Sequence, residues 1–177
     1  MRLSNPTQKK PKRTDTRAVS PGKKRSAAKA GRTCGGVVMF CVQGSNGSTE
    51  SKIFAPSKLV QMLQAGLPFG ELDDLQTSLA IPSERLAPML GISKATLHRR
   101  KGSSGKLSPS VSDRVLRYAR LLGQALKVFN GPDAAKLWLN APQVGLGGSV
   151  PLDYAKTEIG AREVENLLGR IEYGVYS

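Results

Sequence analysis

Residues 86–97 constrain the fold more than any other stretch of the chain. Two helices that meet at a tight angle need a small residue near the end of the first. They also need a turn residue that accepts an unusual backbone conformation, and apolar residues at fixed offsets to fill the shared seam. Ala87 is the small residue and Gly91 the turn, with Leu86, Leu90, Ile92 and Leu97 at the seam positions. Ser93 is placed to cap the second helix by accepting from the N–H of Ala95 or Thr96. A helix-turn-helix over residues 83–101 is the expectation. It has two irregularities. Arg100 holds a seam position that is usually apolar, where its aliphatic stem can substitute. Pro88 sits inside the first helix, where it removes a hydrogen bond and bends the chain.

The same helical period governs the flanks. Leu59, Met62 and Leu63 share one face of a helix opening at Pro56, and Gly66 and Pro68 stop it. Leu72, Leu75 and Leu79 face inward from a second helix over residues 71–79. The longest helix opens at Ser108 and Pro109 and carries Val111, Val115, Tyr118, Ala119, Leu122, Ala125, Leu126 and Phe129 at three- and four-residue steps. Asn130 and Gly131 end it. Pro132 starts a helix with Ala135, Leu137, Trp138 and Leu139, and a Gly-rich loop follows at 143–149. One helical turn at 151–156 precedes a last helix capped by Thr157, with Ile159, Val164, Leu167, Leu168 and Ile171 inward and Gly174 at its end. The fold class is all-α, with no β pattern after residue 50.

The N-terminal part is different. Residues 1–33 hold eleven Lys or Arg and one acid, Asp15, for a net charge of +10, and the remaining chain carries only +4. This block is too polar to offset its ordering entropy, so it is expected to be disordered. Such a charge run attracts nucleic acid by counterion release without reading sequence, or it is simply a solvated tail. Val37-Val38-Met39-Phe40-Cys41-Val42 lies within residues 35–42, which read as a short strand or an extended apolar segment. Residues 44–48 read as a flexible linker, with the folded region beginning near Lys52. The expected organisation is a tail and linker over 1–50, a helix-turn-helix domain over 52–127, and a second small domain over 128–177.

Several chemistries are excluded. Cys34 and Cys41 match no zinc spacing, and His98 is the one histidine, so a four-ligand metal site is not available without carboxylates. The acids Asp73, Asp74, Asp113, Asp133 and Asp153 show no paired catalytic spacing. Gly145-Leu146-Gly147-Gly148 lacks the Lys and hydroxyl residue of a phosphate-binding loop. No catalytic residue and no cofactor are expected. No apolar run reaches the ~20 residues of a membrane span, and the cysteine usage fits a reducing cytoplasm.

If the second helix of the motif enters a major groove of double-stranded DNA, its first turns reach base edges. The candidate readers are Ser93, Lys94, Ala95, His98 and Arg99, while Arg100, Lys101 and Lys106 are placed for phosphates. The same motif also serves as a packing unit with a solvated basic end. Trp138, Leu139, Val144, Leu146 and Val150 flank the Gly-rich loop as an apolar cluster suited to a partner surface. For Trp138 taken alone, a place in the core is the favoured reading.

Taken in order, a series of blocks points to one family. Gly66-Leu67-Pro68 precedes the motif, which supplies Gly91-Ile92-Ser93, Thr96-Leu97 and Arg99-Arg100-Lys101. Ser112-Asp113-Arg114 and Val128-Phe129 bracket the long helix. Then come Ala135, Trp138-Leu139, Pro142, Leu146-Gly147-Gly148 and Pro151-Leu152. The series ends with Thr157, Gly160, Val164, Leu168, Ile171 and Tyr173-Gly174-Val175. Over residues 56–177 the chain resembles the Xre/MbcA/ParS-like antitoxins, and residues 1–50 fall outside the resemblance.

The resemblance implies a Cro-like helix-turn-helix that represses its own operon, and a small helical C-terminal domain that binds a RES-domain toxin. Such toxins are similar to ADP-ribosyl-transferring folds and consume NAD, and the antitoxins cover the NAD pocket with their C-terminal end. The antitoxin itself is not an enzyme. The expected toxin contacts are Trp138, Leu146, Gly147 and Gly148 near the loop, and Arg170, Glu172, Tyr173, Gly174, Val175, Tyr176 and Ser177 at the end. A symmetric homodimer is expected, because one short recognition helix offers few base contacts. The competing readings are a helix-turn-helix regulator with no toxin partner and a basic RNA-associated protein that works through its tail.

Overall fold

A computed structural model describes Met1 and residues 36–43, 56–100 and 105–175. The helices are α1 (Val37–Gln43), α2 (Pro56–Ala65), α3 (Gly70–Leu79), α4 (Ser83–Leu90), α5 (Lys94–Arg100), α6 (Pro109–Phe129), α7 (Pro132–Asn140), α8 (Pro151–Tyr154) and α9 (Glu158–Glu172), with a 3-10 turn over Val144–Leu146. Among the described residues the all-α expectation holds, and extended pairing is limited to single bridges between Pro68 and Lys106 and between Gln143 and Ser149. The basic residues 2–33, the linker at 44–48 and Lys52 lie outside the described residues.

The 21-residue α6 is the axis of the fold. Pro109 suits its first turn because a proline there forfeits no intrahelical hydrogen bond. Asn130 ends it in the left-handed conformation, with φ of 49°, while Gly131 is extended. Val115, Tyr118, Ala119, Leu121, Leu122 and Ala125 are fully buried along it. Helices α1, α2, α3 and α4 pack on it, as do α7 and α9. It runs unbroken through the expected domain boundary at 127/128, so one helix supplies core to both parts. Burying a leucine or valine contributes about 1.5–3 kcal/mol, and Val115, Leu121 and Leu122 each contribute that along this stripe.

Polar contacts lock the start of α6 to the loop before α3. The Ser112 hydroxyl is buried, accepts the Leu67 N–H at 2.9 Å and donates to the Ser108 carbonyl at 3.0 Å. The Leu107 N–H donates to the Leu67 carbonyl at 2.8 Å.

The apolar run at 35–42 is the main correction to the sequence reading. Val37–Gln43 is a helix, not an extended strand, so helical structure is already present before Lys52. The cause is tertiary. The Glu71 carboxylate accepts the N–H of Val37 and of Val38, each at 2.8 Å. These are two of the four donors that a helix start leaves unsatisfied. Val37 and Val38 are fully buried. β-branched residues favour strands only weakly, so a capped and buried first turn outweighs that preference. Burial pushes the Glu71 carboxyl up from its ordinary value, and the two N–H groups pull it partly back.

Ile159, expected inside, faces solvent: it is 78% exposed in the first turn of α9. Leu137 on α7 is also 72% exposed. No helix among the described residues is long and apolar enough to cross a membrane.

Candidate functional site

The helix-turn-helix forms as its residue types require. Leu86, Ala87, Leu90 and Leu97 are buried in the seam and Ile92 packs against it. Gly91 holds a φ of 64° after α4. Its N–H reaches the Pro88 carbonyl at 3.1 Å and the Ile92 N–H reaches the Ala87 carbonyl at 3.0 Å, the paired bonds of a glycine helix stop. Arg114 of α6 adds a guanidinium there, donating from Nη1 to the Leu90 carbonyl at 2.7 Å. A cation at a helix C-terminus is favoured by the aligned peptide dipoles. A Cβ on Gly91 would collide with that same Nη1, so both the backbone and the neighbour demand glycine.

Ser93 caps α5, its Oγ accepting the Thr96 N–H at 3.1 Å and lying 2.8 Å from the Thr96 hydroxyl. That engagement leaves Ser93 as a positioning residue more than a free reader. Lys94, Ala95, His98 and Arg99 are exposed on one helix whose opposite side buries Leu97. Lys106 is also exposed. The Arg100 side chain and Lys101 lie outside what the structure describes. Among the described residues no group of His, Cys, Asp and Glu is arranged to hold a metal ion. Cys41 is half-buried, and burial pushes its thiol up to about 11, which keeps it protonated at neutral pH.

The C-terminal part is built around the loop at 143–149. Gln143 ties it down: its Nε2 donates to the carbonyls of Trp138 at 2.9 Å and Ala141 at 3.1 Å. Its backbone N–H donates to Ser149 at 3.1 Å, and its carbonyl accepts Gly148 at 2.9 Å. Gly147 and Gly148 both take left-handed φ, 63° and 79°, which closes the loop tightly. Leu146 is buried beneath the loop, where its side chain supports the surface. Trp138 is half-buried, tilted against Phe129 with ring centroids 5.4 Å apart. Val144 projects almost fully into solvent.

Beside this loop the last turns of α9 frame a cleft of about 390 Å³, lined by Gln143, Val144, Gly145, Leu167, Arg170, Ile171 and Val175. Arg170 lines it, and its Nε is buried with no hydrogen-bond partner. The chain then leaves the helix through Gly174, at φ of 68°. The Val175 N–H returns to the Arg170 carbonyl at 2.8 Å. Glu172, Tyr173, Gly174 and Val175 are exposed, and Tyr176 and Ser177 lie outside the described residues. Sequence reasoning found Arg170 and Val175 but missed Gln143, Gly145 and the cleft-lining role of Leu167 and Ile171. Periodicity marked the last two only as core.

The two parts are joined by charge. Arg85 of α4 donates to Asn140 Oδ1 at 2.6 Å and to Asp153 Oδ2 at 3.2 Å. Arg117 pairs with Glu158 at 3.0 Å and with Asp113 at 3.3 Å, and Arg120 pairs with Glu165 at 2.9 Å.

Comparison with known proteins places both parts. Residues 58–120 match the family model described as the antitoxin Xre-like helix-turn-helix domain. Residues 124–174 match the antitoxin Xre/MbcA/ParS C-terminal toxin-binding domain. An antitoxin Xre of Yersinia enterocolitica is 32% identical over 120 residues, covering 67% of this chain and 81% of the relative. The chain belongs to the Xre/MbcA/ParS antitoxin family. An antitoxin Xre of Photorhabdus laumondii is similar, 35% identical over 117 residues, covering 66% of this chain and 79% of the relative. More distant is a protein of Sphingobium named Prs ADP-ribosylating antitoxin, 25% identical over 132 residues, covering 70% and 83%. The family is one of antitoxins and not of enzymes. The Xre/MbcA/ParS C-terminal domain contains the Gln143 loop, the Arg170 cleft and the exposed end of α9, and the family's helix-turn-helix domain contains α4 and α5.

Proposed function

We propose that this chain neutralises a RES-domain, NAD-consuming toxin by laying its C-terminal end over the toxin's active site, and that it represses its own operon as a symmetric dimer. The observation that carries the first part is the exposed end of α9. Tyr173, inside the matched toxin-binding domain, is 81% exposed, and Val175, one residue past the match, is 54% exposed beside the Arg170 cleft. A tyrosine supplies large contact area at low entropic cost. The name of the Sphingobium relative joins antitoxin with ADP-ribosylation, a chemistry that consumes NAD. A regulator with no toxin partner leaves this apolar end without a use.

The second part rests on the exposed, basic first turns of α5. Lys94 and Arg99 are the proposed base readers, with Ala95 and His98 beside them and Arg100 and Lys101 toward phosphate. Two α5 helices related by two-fold symmetry read an inverted repeat. The test joins both parts. The tagged chain is expected to co-purify with a RES-domain protein encoded beside it and to shift the upstream DNA. Lys94→Ala and Arg99→Ala are each expected to cost about 1–3 kcal/mol at that DNA. Unchanged shifts by both variants mean that these residues are not readers. Absence of any RES-domain protein from the purified complex removes the toxin reading.

A further inference from the structure

We propose that the Arg170 cleft is a receptor into which the toxin inserts an acidic side chain, so that the contact is reciprocal: the antitoxin's end covers the toxin while the toxin fills a pocket of the antitoxin. This rests on the toxin-binding reading above and adds the chemistry of the contact. The cleft holds about 390 Å³, many times the ~30 Å³ share of one water, so it has the size for a side chain. Its walls are mostly apolar: Val144, Leu167, Ile171 and Val175 surround the stem of whatever enters.

Its one charged group among the described residues is Arg170. No described acid or carbonyl pairs with that guanidinium, whereas Arg114, Arg117, Arg120 and Arg162 of α6 and α9 each have one. A cation that lines an apolar cleft without a counter-ion suits an anionic partner atom. A guanidinium donates and never accepts, and it pairs best with a carboxylate. Glutamate meets both demands, an apolar stem for the walls and a carboxylate for the guanidinium. Aspartate meets the second with a shorter reach. The Gln143 side chain cannot serve as the acceptor's rival donor, because its Nε2 is already committed to Trp138 and Ala141.

The experiment is titration calorimetry of the purified RES-domain toxin against the full chain and its Arg170→Ala, Arg170→Lys and Gly145→Ala variants. Melting temperature and DNA shift serve as controls for folding. Arg170→Ala is expected to weaken toxin binding about 30-fold or more, as loss of one partner of a buried charge pair does. Arg170→Lys is expected to lose nearly as much, because an ammonium does not reproduce the planar fork of guanidinium donors. Gly145→Ala leaves Arg170 alone but adds a Cβ 2.7 Å from Leu167 Cδ1, forcing that side chain to move at the cleft, and it is expected to weaken binding too. A charge-swapped pair, Arg170→Glu with a lysine at one toxin acid, is expected to restore part of the affinity.

Wild-type affinity in both Arg170 variants overturns the receptor and leaves the toxin reading standing. Full affinity in Arg170→Lys with loss in Arg170→Ala overturns it as well, because diffuse charge then suffices. No binding by the wild-type chain overturns both.

Discussion

The contact between Glu71 and α1 is a buried clasp that a single substitution tests. Glu71→Ala leaves the N–H groups of Val37 and Val38 facing an empty acceptor site in a place closed to water. Each unpaired buried donor costs about 1–3 kcal/mol, so holding α1 in place would cost about 2–6 kcal/mol. The chain has a second route, which is to release α1. Release exposes Val37 and Val38, whose burial contributes about 1.5–3 kcal/mol each. Release of both therefore costs about 3–6 kcal/mol, close to the cost of holding the helix, so a loss of about 2–6 kcal/mol is expected by either route. Urea unfolding gives the magnitude, and hydrogen exchange at residues 37–41 reports the release. A double-mutant cycle isolates the cause. In a chain that starts at Pro56, Glu71→Ala is expected to cost little, because the N–H groups it served are gone. Equal destabilisation in both backgrounds would refute the clasp.

The same carboxyl gives a pH signature. Its folded-state value is raised, so the folded protein holds the proton more tightly than the unfolded chain. Stability is therefore greatest below the ordinary glutamate value and declines as pH rises through the raised one. Glu71→Gln, which cannot titrate, is expected to flatten that decline.

Two other perturbations follow from the DNA-binding half. Gly91→Ala combines a left-handed φ with a collision against Arg114, so it is expected to lower stability by about 1–3 kcal/mol and to weaken DNA shifts; a melting curve unchanged from wild type would contradict this. Deleting residues 1–33 is expected to weaken binding to any DNA about equally and to flatten its salt dependence, since up to about ten phosphate contacts vanish. An unchanged slope would make the tail a bystander.

The parts of the fold that were legible in the sequence are those set by local chemistry. The seam of Leu86, Leu90 and Leu97, the Gly91 stop, the Ser93 and Thr157 caps and the stripe of α6 each follow from residue types a few positions apart. The Thr157 hydroxyl indeed accepts the Gly160 N–H at 3.1 Å. Helix α1 was illegible because its decisive partner, Glu71, lies 34 residues away from Val37. Ile159 shares the apolar period of α9 yet falls in its first turn, beyond the reach of the core. The cleft was hidden for a similar reason. Nothing in the spacing of Gln143 and Arg170 says that one would be consumed in holding a loop and the other left without an acceptor.

The central claim is that the end of α9 blocks a toxin's active site. Residues 173–175 are exposed, and their described hydrogen bonds run only to the last turns of α9. Removing residues 172–177 is therefore expected to leave the fold and DNA binding nearly intact. The most direct measurement is NAD loss catalysed by the purified RES-domain toxin, with the full or the shortened chain added in equal amounts. The account predicts inhibition by the full chain and little or none by the shortened one. Equal inhibition by both would contradict it and move the inhibitory contact to the surface around Trp138 and Gly147.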